Sequence, residues 1–364
     1  MDALSQEVRW AGRQSDPGTS VHTLFFGGGT PSLLTPMQMD QILKTIRESF
    51  QLLEDAEISM EANPGTVTEE SINGFVEAGV NRFSFGMQSA HPEDLRILDR
   101  KHTFSDVLQA VGYCQKAGVK HINLDLIFGI PGQTLQRFQS SLALAAASGV
   151  DHLSLYSLTI EEGTPMAHWA NRGLIDFPDD DLAAEMYEFA EDYLAAQGFE
   201  QYEISNWARG NSGRCSHNLQ YWEYEPYFGF GAGAHGFING TRTENVHSVF
   251  DYLQRMSDGR EGQFPFSPAA LAGSLLSKWD QMQEMMMVGL RMTAEGVSAK
   301  RFKNRFGSDL EVIFADQLRH LLREGLIEWI TVPERAVRLT KRGKLLGNRV
   351  FMEFVGNEVP AGLQ

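Results

Sequence analysis

The stretch His22–Pro36, HTLFFGGGTPSLLTP, decides the fold. His22–Phe26 is short, β-branched and aromatic, the composition of a buried strand. Gly27-Gly28-Gly29 follows at once, where a missing Cβ lets the backbone turn sharply and a ligand come close. Thr35 can then accept a hydrogen bond from an orphan helix amide, and Pro36 takes the first helical position, where its absent N–H costs nothing. The spacing predicts a helix from there to about Phe50, so the stretch reads as one strand, a glycine loop and one helix.

Working outward, the same unit repeats. Further strands are predicted at Glu57–Glu61, Arg82–Gly86, Ile122–Phe128 and His152–Leu158, with a short one near Gln201–Ile204. Helices ending near Ala78, Ala117, Ser148 and Gln197 are each followed by a glycine (79, 118, 149 and 198), the residue best suited to close a helix. Strands apolar enough to be covered on both faces, alternating with helices, predict an α/β fold with a parallel sheet or barrel.

After about residue 205 the pattern changes. Tyr202–Gly240 is rich in glycine and aromatic residues and is expected to be an extended, packed loop region. Helices are expected at Lys278–Met292 and Asp309–Arg323, then strands at Leu326–Ile330 and Ala336–Leu339 around a turn at Pro333–Glu334. These elements form either a small winged-helix-like appendage or caps on the barrel. The expected domains are 1–205, 206–265 and 266–364.

The 364 residues carry 31 Lys and Arg against 47 Asp and Glu, a net charge of −16, which opposes a broad phosphate-backbone footprint and makes nucleic acid an unexpected partner. No apolar run approaches the roughly 20 residues of a membrane span, so membrane contact is expected to be peripheral at most. Residues 1–20 show no secretion signal, and the expected location is cytoplasmic. Two cysteines, Cys114 and Cys215, cannot build a disulfide framework or a four-cysteine metal site. Cys114, mid-helix, is expected to be a small buried side chain, and Met282, Met285, Met286, Met287 and Met292 to fill a core.

Glu61, Gln88, Asp125 and Tyr156 fall at or near the ends of successive predicted strands. A polar residue inside an apolar strand needs a partner, and a series of them resembles a ligand site across the mouth of a barrel. Arg100 could bring a cation there, or be a solvated helix-end arginine beside Asp99. The densest constellation is Cys215–Trp222, CSHNLQYW, followed by Gly229–Gly236. A histidine among flat rings and glycines can offer an imidazole nitrogen as an axial ligand to a macrocycle, the alternative being a core hydrogen bond.

Together Phe25–Leu34 (FFGGGTPSLL), Glu61–Pro64 (EANP), Arg82–Ser89 (RFSFGMQS), Asn123–Thr134 (NLDLIFGIPGQT), Ser154–Thr164 (SLYSLTIEEGT) and Tyr202–Gly236 resemble the radical S-adenosylmethionine (SAM) family of oxygen-independent coproporphyrinogen III oxidases, and more closely its HemW-type heme chaperone branch. The resemblance covers nearly the whole chain. It implies a partial TIM-like (β/α)₆ barrel missing its first strand, plus a helical, winged-helix-like C-terminal domain. It implies that Gly27, Gly28, Gly29 and Thr30 meet the amino end of SAM while Glu61, Gln88, Arg100 and Asp125 contact its polar groups. The H-N-x-x-Y-W motif, associated with heme binding in the branch, falls on His217, Asn218, Tyr221 and Trp222. The implied partners are heme and a heme-acceptor protein. The other activity implied by the resemblance is SAM-dependent oxidative decarboxylation of coproporphyrinogen III.

One departure matters. The family's [4Fe–4S] cluster is held by a C-x-x-x-C-x-x-C loop ahead of the glycine motif, and no cysteine precedes Cys114. Met1–Trp10 resembles the helix after that loop, so Met1 reads as an internal methionine of a longer coding sequence. The alternative is a cluster-free homologue that keeps only binding functions. This chain is expected to hold no cluster and to cleave no SAM.

Overall fold

The computed structural model describes residues 1–359; residues 360–364 of the expected C-terminal domain lie outside them. In chain order the first part runs α1 (Asp2–Gln14), β1 (Ser20–Phe26), α2 (Pro36–Ser49), β2 (Gln51–Ala62), α3 (Glu69–Ala78), β3 (Arg82–Gln88), α4 (Pro92–Ile97), α5 (Phe104–Lys116), β4 (His121–Phe128), α6 (Leu135–Ala147), β5 (His152–Ser157), α7 (Pro165–Asn171), α8 (Asp180–Ala196), β6 (Glu200–Glu203) and β7 (Asn206–Ala208). The strands form one seven-stranded sheet in the order β1-β2-β3-β4-β5-β7-β6. Each neighbouring pair from β2 to β5 is parallel, as the strand–helix alternation requires. The fold class is the expected α/β partial barrel.

Local chemistry explains the boundaries. Thr68 and Ser71 form a capping box at the start of α3, and Gly79 closes it at φ 122°. The predicted strand near Gln201–Ile204 is instead two: β6 and β7 pair antiparallel, and β7 pairs antiparallel with β5. A tight hairpin this short leaves no alternation long enough to read. β2 starts at Gln51 rather than Glu57, because its first half, QLLEDA, is mostly solvent-facing and shows no alternation of apolar and polar residues.

The second part runs α9 (Ser216–Trp222), β8 (His235–Ile238), β9 (Thr241–Asn245), α10 (Val249–Ser257), β10 (Ala270–Leu275), α11 (Lys278–Gly289), β11 (Val297–Ser298), α12 (Ala299–Phe306), α13 (Leu310–Ile313), α14 (Ala315–Arg323), β12 (Ile327–Ile330), β13 (Ala336–Leu339), α15 (Lys341–Leu345) and α16 (Gly347–Met352). Its strands make two three-stranded sheets, β10-β9-β8 and β11-β13-β12. The expected loop region Tyr202–Gly240 contains α9, and the H-N-x-x-Y-W motif lies on that helix. Two turns are too short to show helical periodicity among so many aromatic residues. The helix expected over Asp309–Arg323 is broken at Phe314, whose φ −110° and ψ 32° are non-helical. Phe314 packs against Trp279, Phe302 and Phe354, and that burial overrides helix continuation.

The chain divides into two compact units. One comprises Leu24–Met37 and Glu57–Cys215, with the central strands' Met60, Phe83, Phe85, Leu124, Leu126 and Leu153 buried beside Phe75 and Phe138 from the helices. The other comprises Met1–Thr23, Gln38–Ala56 and residues 216–359, with Met39, Leu43, Met282, Met286, Phe302 and Phe354 buried in it. Cys114 is buried, and burial pushes its thiol up to about 12. No helix among the described residues is long and apolar enough to cross a membrane.

Candidate functional site

In the barrel unit the predicted polar series gathers at the carboxyl ends of the parallel strands. Gly27, Gly28 and Gly29 follow β1, and Thr30 precedes a short turn at Pro31–Leu33. A Cβ at Gly27 would lie 2.4 Å from the Phe25 ring and 3.4 Å from the Glu61 side chain, so a larger residue there would have to displace the ring. Gly28 and Gly29 adopt φ 75° and 58° with open space where a Cβ would stand. This is a backbone cradle a ligand can approach. The Gly28 amide donates to Glu61 Oε2 at 3.3 Å.

Register brings the acids together. Glu61 lies across from Ser84 on β3, which lies across from Asn123 on β4, with Asp125 two residues further on. Burial raises the Glu61 pKa above the ordinary carboxylate value, the Gly28 amide opposes that, and the Asp125 carboxylate adds to it. Burial likewise raises Asp125, against hydrogen bonds from Ser84, Asn123 and Ser154. Ser84 Oγ and Asn123 Nδ2 each donate to Asp125 at 2.8 Å. Two carboxyl groups held at the cost of desolvation mark a site shaped for a cationic or hydrogen-bond-donating ligand.

Gln88 ends β3 at φ 63°, beside a register shift in the β3–β4 pairing. A left-handed backbone on a non-glycine residue costs about 1 kcal/mol or more and concentrates at functional sites. The side chain is buried over its own strand, where a Cβ at Gly86 would come within 2.7 Å of Nε2. Arg100 is exposed in the loop after α4, its amide bonded to the Leu95 carbonyl at 2.8 Å. Tyr156, across from Ile127, is partly exposed near the end of β5.

A buried chain beneath this mouth escaped sequence reading. Asn123 Oδ1 meets His152 Nδ1 at 2.6 Å, and His152 Nε2 meets the Tyr202 hydroxyl at 2.7 Å. Burial holds the His152 pKa well below the usual imidazole value, so the ring is neutral. The Cys215 amide donates to Tyr202 at 3.2 Å, and Cys215 Sγ donates to Glu57 Oε1 at 3.2 Å. The signal available was His152, a polar residue opening an apolar strand run.

In the other unit, α9 presents the histidine motif. His217 and Tyr221 stand one turn apart on one helix face, the rings edge-to-face at 4.9 Å, with His217 Nε2 3.0 Å from the Tyr221 hydroxyl. His217 Nδ1 lies 3.0 Å from Thr23 Oγ1. Tyr221 meets Tyr227 edge-on at 4.6 Å, and Phe228 and Phe230 stack nearby at 5.6 Å. These half-buried rings form an aromatic cluster around His217 in which Tyr221 stands edge-on to both His217 and Tyr227. Asn218 is half-buried. Trp222 turns to another face, where it lines a cavity of about 190 Å³ with Met285, Met292 and Arg301, under the Arg291 guanidinium at 4.5 Å. His217 and Tyr221 thus act as a pair, and Trp222 stands apart from them.

A glycine loop and two desolvated acids lie at the carboxyl ends of the parallel strands of a (β/α) partial barrel. Residues 4–145 match the Radical SAM superfamily, and residues 276–346 match the HemN C-terminal domain. The chain is similar to the heme chaperone HemW of Bacillus subtilis, 39% identical over 358 residues that span 98% of this chain and 91% of that protein. It is similar to the heme chaperone HemW of Lactococcus lactis at 34% identity, covering 93% of this chain and 86% of that one. In structure it resembles coproporphyrinogen III oxidase (HemN) from Escherichia coli, with a TM-score of 0.79 at 23% identity over 98% of this chain and 82% of that chain, a likeness of fold. The chain belongs to the HemW family of the radical SAM superfamily.

That superfamily implies SAM and a [4Fe–4S] cluster. The Gly27 cradle and the carboxyl groups of Glu61 and Asp125 fit the amino end and polar groups of SAM. The cluster does not fit the residues present. Both cysteines are buried and far apart in sequence, and among the described residues no group of three or more His, Cys, Asp or Glu could hold a metal ion.

Proposed function

We propose that this chain is a heme chaperone that takes heme on the 206–265 segment and passes it to an acceptor protein. The observation that carries this reading is His217 on α9, its Nε2 3.0 Å from the hydroxyl of Tyr221 on the same helix, beside half-buried aromatic rings. Nε2 of His217 serves as axial ligand, Tyr221 and the stacked Phe228 and Phe230 cover the porphyrin, and Asn218 and Trp222 complete the motif. The 1–205 region supplies the SAM-type mouth, with Gly27, Gly28, Gly29, Thr30, Glu61, Gln88, Arg100 and Asp125 as its contacts, and 266–364 forms the winged-helix-like domain. Family membership supports the reading, as does the match of residues 276–346 to the C-terminal domain shared with HemN.

Heme titration tests it. The protein is expected to give a saturable Soret band, and His217→Ala to weaken binding at least tenfold and move the band; an unchanged spectrum and affinity would refute the ligand assignment. Incubation with coproporphyrinogen III, SAM and a reductant is expected to yield no decarboxylated porphyrin. Product formation would make the chain an enzyme.

A further inference from the structure

We infer that Thr23 and Gln220 are positioning residues for His217, holding its imidazole as the Nδ1–H tautomer so that Nε2 offers its lone pair to heme iron. The inference rests on the heme reading above and adds two residues that the motif does not specify. Thr23 lies on β1, 194 positions from His217, and Gln220 occupies an unspecified place within the motif.

The polarity of the contacts follows from what each atom can do. The Pro226 carbonyl can only accept, so the Gln220 amide nitrogen faces it at 2.6 Å. Gln220 Oε1 is thereby turned toward Thr23, and it too can only accept. The Thr23 hydroxyl proton therefore points to Gln220 Oε1 at 2.9 Å. Thr23 Oγ1 is left with lone pairs for His217 Nδ1 at 3.0 Å, which must carry the proton. In the neutral ring Nε2 then carries no proton, and it accepts from the Tyr221 hydroxyl at 3.0 Å. Gln220 and Tyr221 sit three and four residues after His217, so a single helix face supplies both ends of the relay. Thr23 is 8% exposed, which leaves little room for water to replace it.

Two consequences follow for heme. A hydrogen bond accepted from the far N–H makes the coordinating nitrogen more basic and fixes the ring plane; losing such a partner typically costs about 10–100-fold in metal affinity. The Tyr221 hydroxyl caps Nε2 until iron displaces it.

The test uses the full chain with hemin, reading affinity, the midpoint potential of the bound heme and the rate of uptake. Thr23→Val keeps the shape and removes the acceptor. It is expected to weaken ferric heme binding about tenfold and shift the potential positive, with Thr23→Ser restoring both. Gln220→Leu, at a half-exposed position, frees the Thr23 hydroxyl to donate to Nδ1 and is expected to lower affinity in the same direction. This variant carries the test if Thr23→Val does not fold. Tyr221→Phe is expected to speed uptake. Wild-type affinity and potential in both Thr23→Val and Gln220→Leu, with binding lost in His217→Ala, would overturn the inference while leaving heme ligation intact. Unchanged binding in His217→Ala would overturn both.

Discussion

Glu61 pairs an ordinary side chain with an expensive place. Its pKa is raised in the folded protein, chiefly by burial and further by Asp125, so the ionised carboxylate is less favourable there than in the unfolded chain. The sign follows. Below the unfolded value near 4.5 the carboxyl is neutral in both states and the penalty is absent; stability falls as pH rises through the raised folded value. Glu61→Gln keeps an oxygen for the Gly28 amide and removes the charge. At pH 7 it is expected to raise Tm by roughly 1–3 °C, with the difference vanishing near pH 4. Calorimetry across that range checks it, and a pH-independent difference would exclude a charge effect. Under the proposed SAM reading, the same substitution is expected to weaken SAM binding, measured by calorimetric titration.

At the scale of elements, α1 is tied down by one carboxylate. Glu7, fully buried, accepts from the Gly231 amide at 2.8 Å and from Asn245, Tyr252 and Ser267 at 2.7 Å each. Four donors satisfy both oxygens, which makes a buried charge tolerable and joins α1 to β9, α10 and the glycine-rich segment after α9. Glu7→Gln turns an NH₂ group toward donors and is expected to cost about 2–4 kcal/mol, read as a lower urea midpoint. Glutamate in an amphipathic helix ordinarily signals a solvated face, and nothing in the local pattern around Glu7 shows otherwise. The long apolar strands, by contrast, were legible to within a few residues, since period and glycine punctuation are local properties. α9 was not, because two turns carry too few residues for a period to emerge.

Across the whole molecule, the apolar surface is uneven. β10 is an edge strand whose last five residues are all exposed, Leu271 and Leu275 among them, and Phe250 and Leu253 of α10 are exposed as well. Arg255 of α10 donates to the Ala270 carbonyl at 2.5 Å, so helix and strand are neighbours. An uncovered edge with apolar side chains is a template for association between chains. Leu275→Lys is expected to raise the concentration at which the protein scatters light while leaving Tm within about 1 °C, since the side chain is at the surface. Equal scattering by the variant would place the self-association elsewhere.

The amino-acid sequence by itself determined the strand–helix alternation of the parallel region, the Gly27–Gly29 loop, the acids near the strand ends, the family, and a cysteine count too small for the superfamily's cluster. These depend on residue type and short-range spacing, which the chain states directly. Only the tertiary structure decided that Thr23 meets His217, that Glu7 collects four donors, that His152 and Tyr202 link Asn123 to Cys215, and that Trp222 parts from the rest of its motif. A buried hydrogen-bonding group must find a partner, but its partner is chosen by where the backbone closes in space, and a separation of 194 residues leaves no trace in the local pattern.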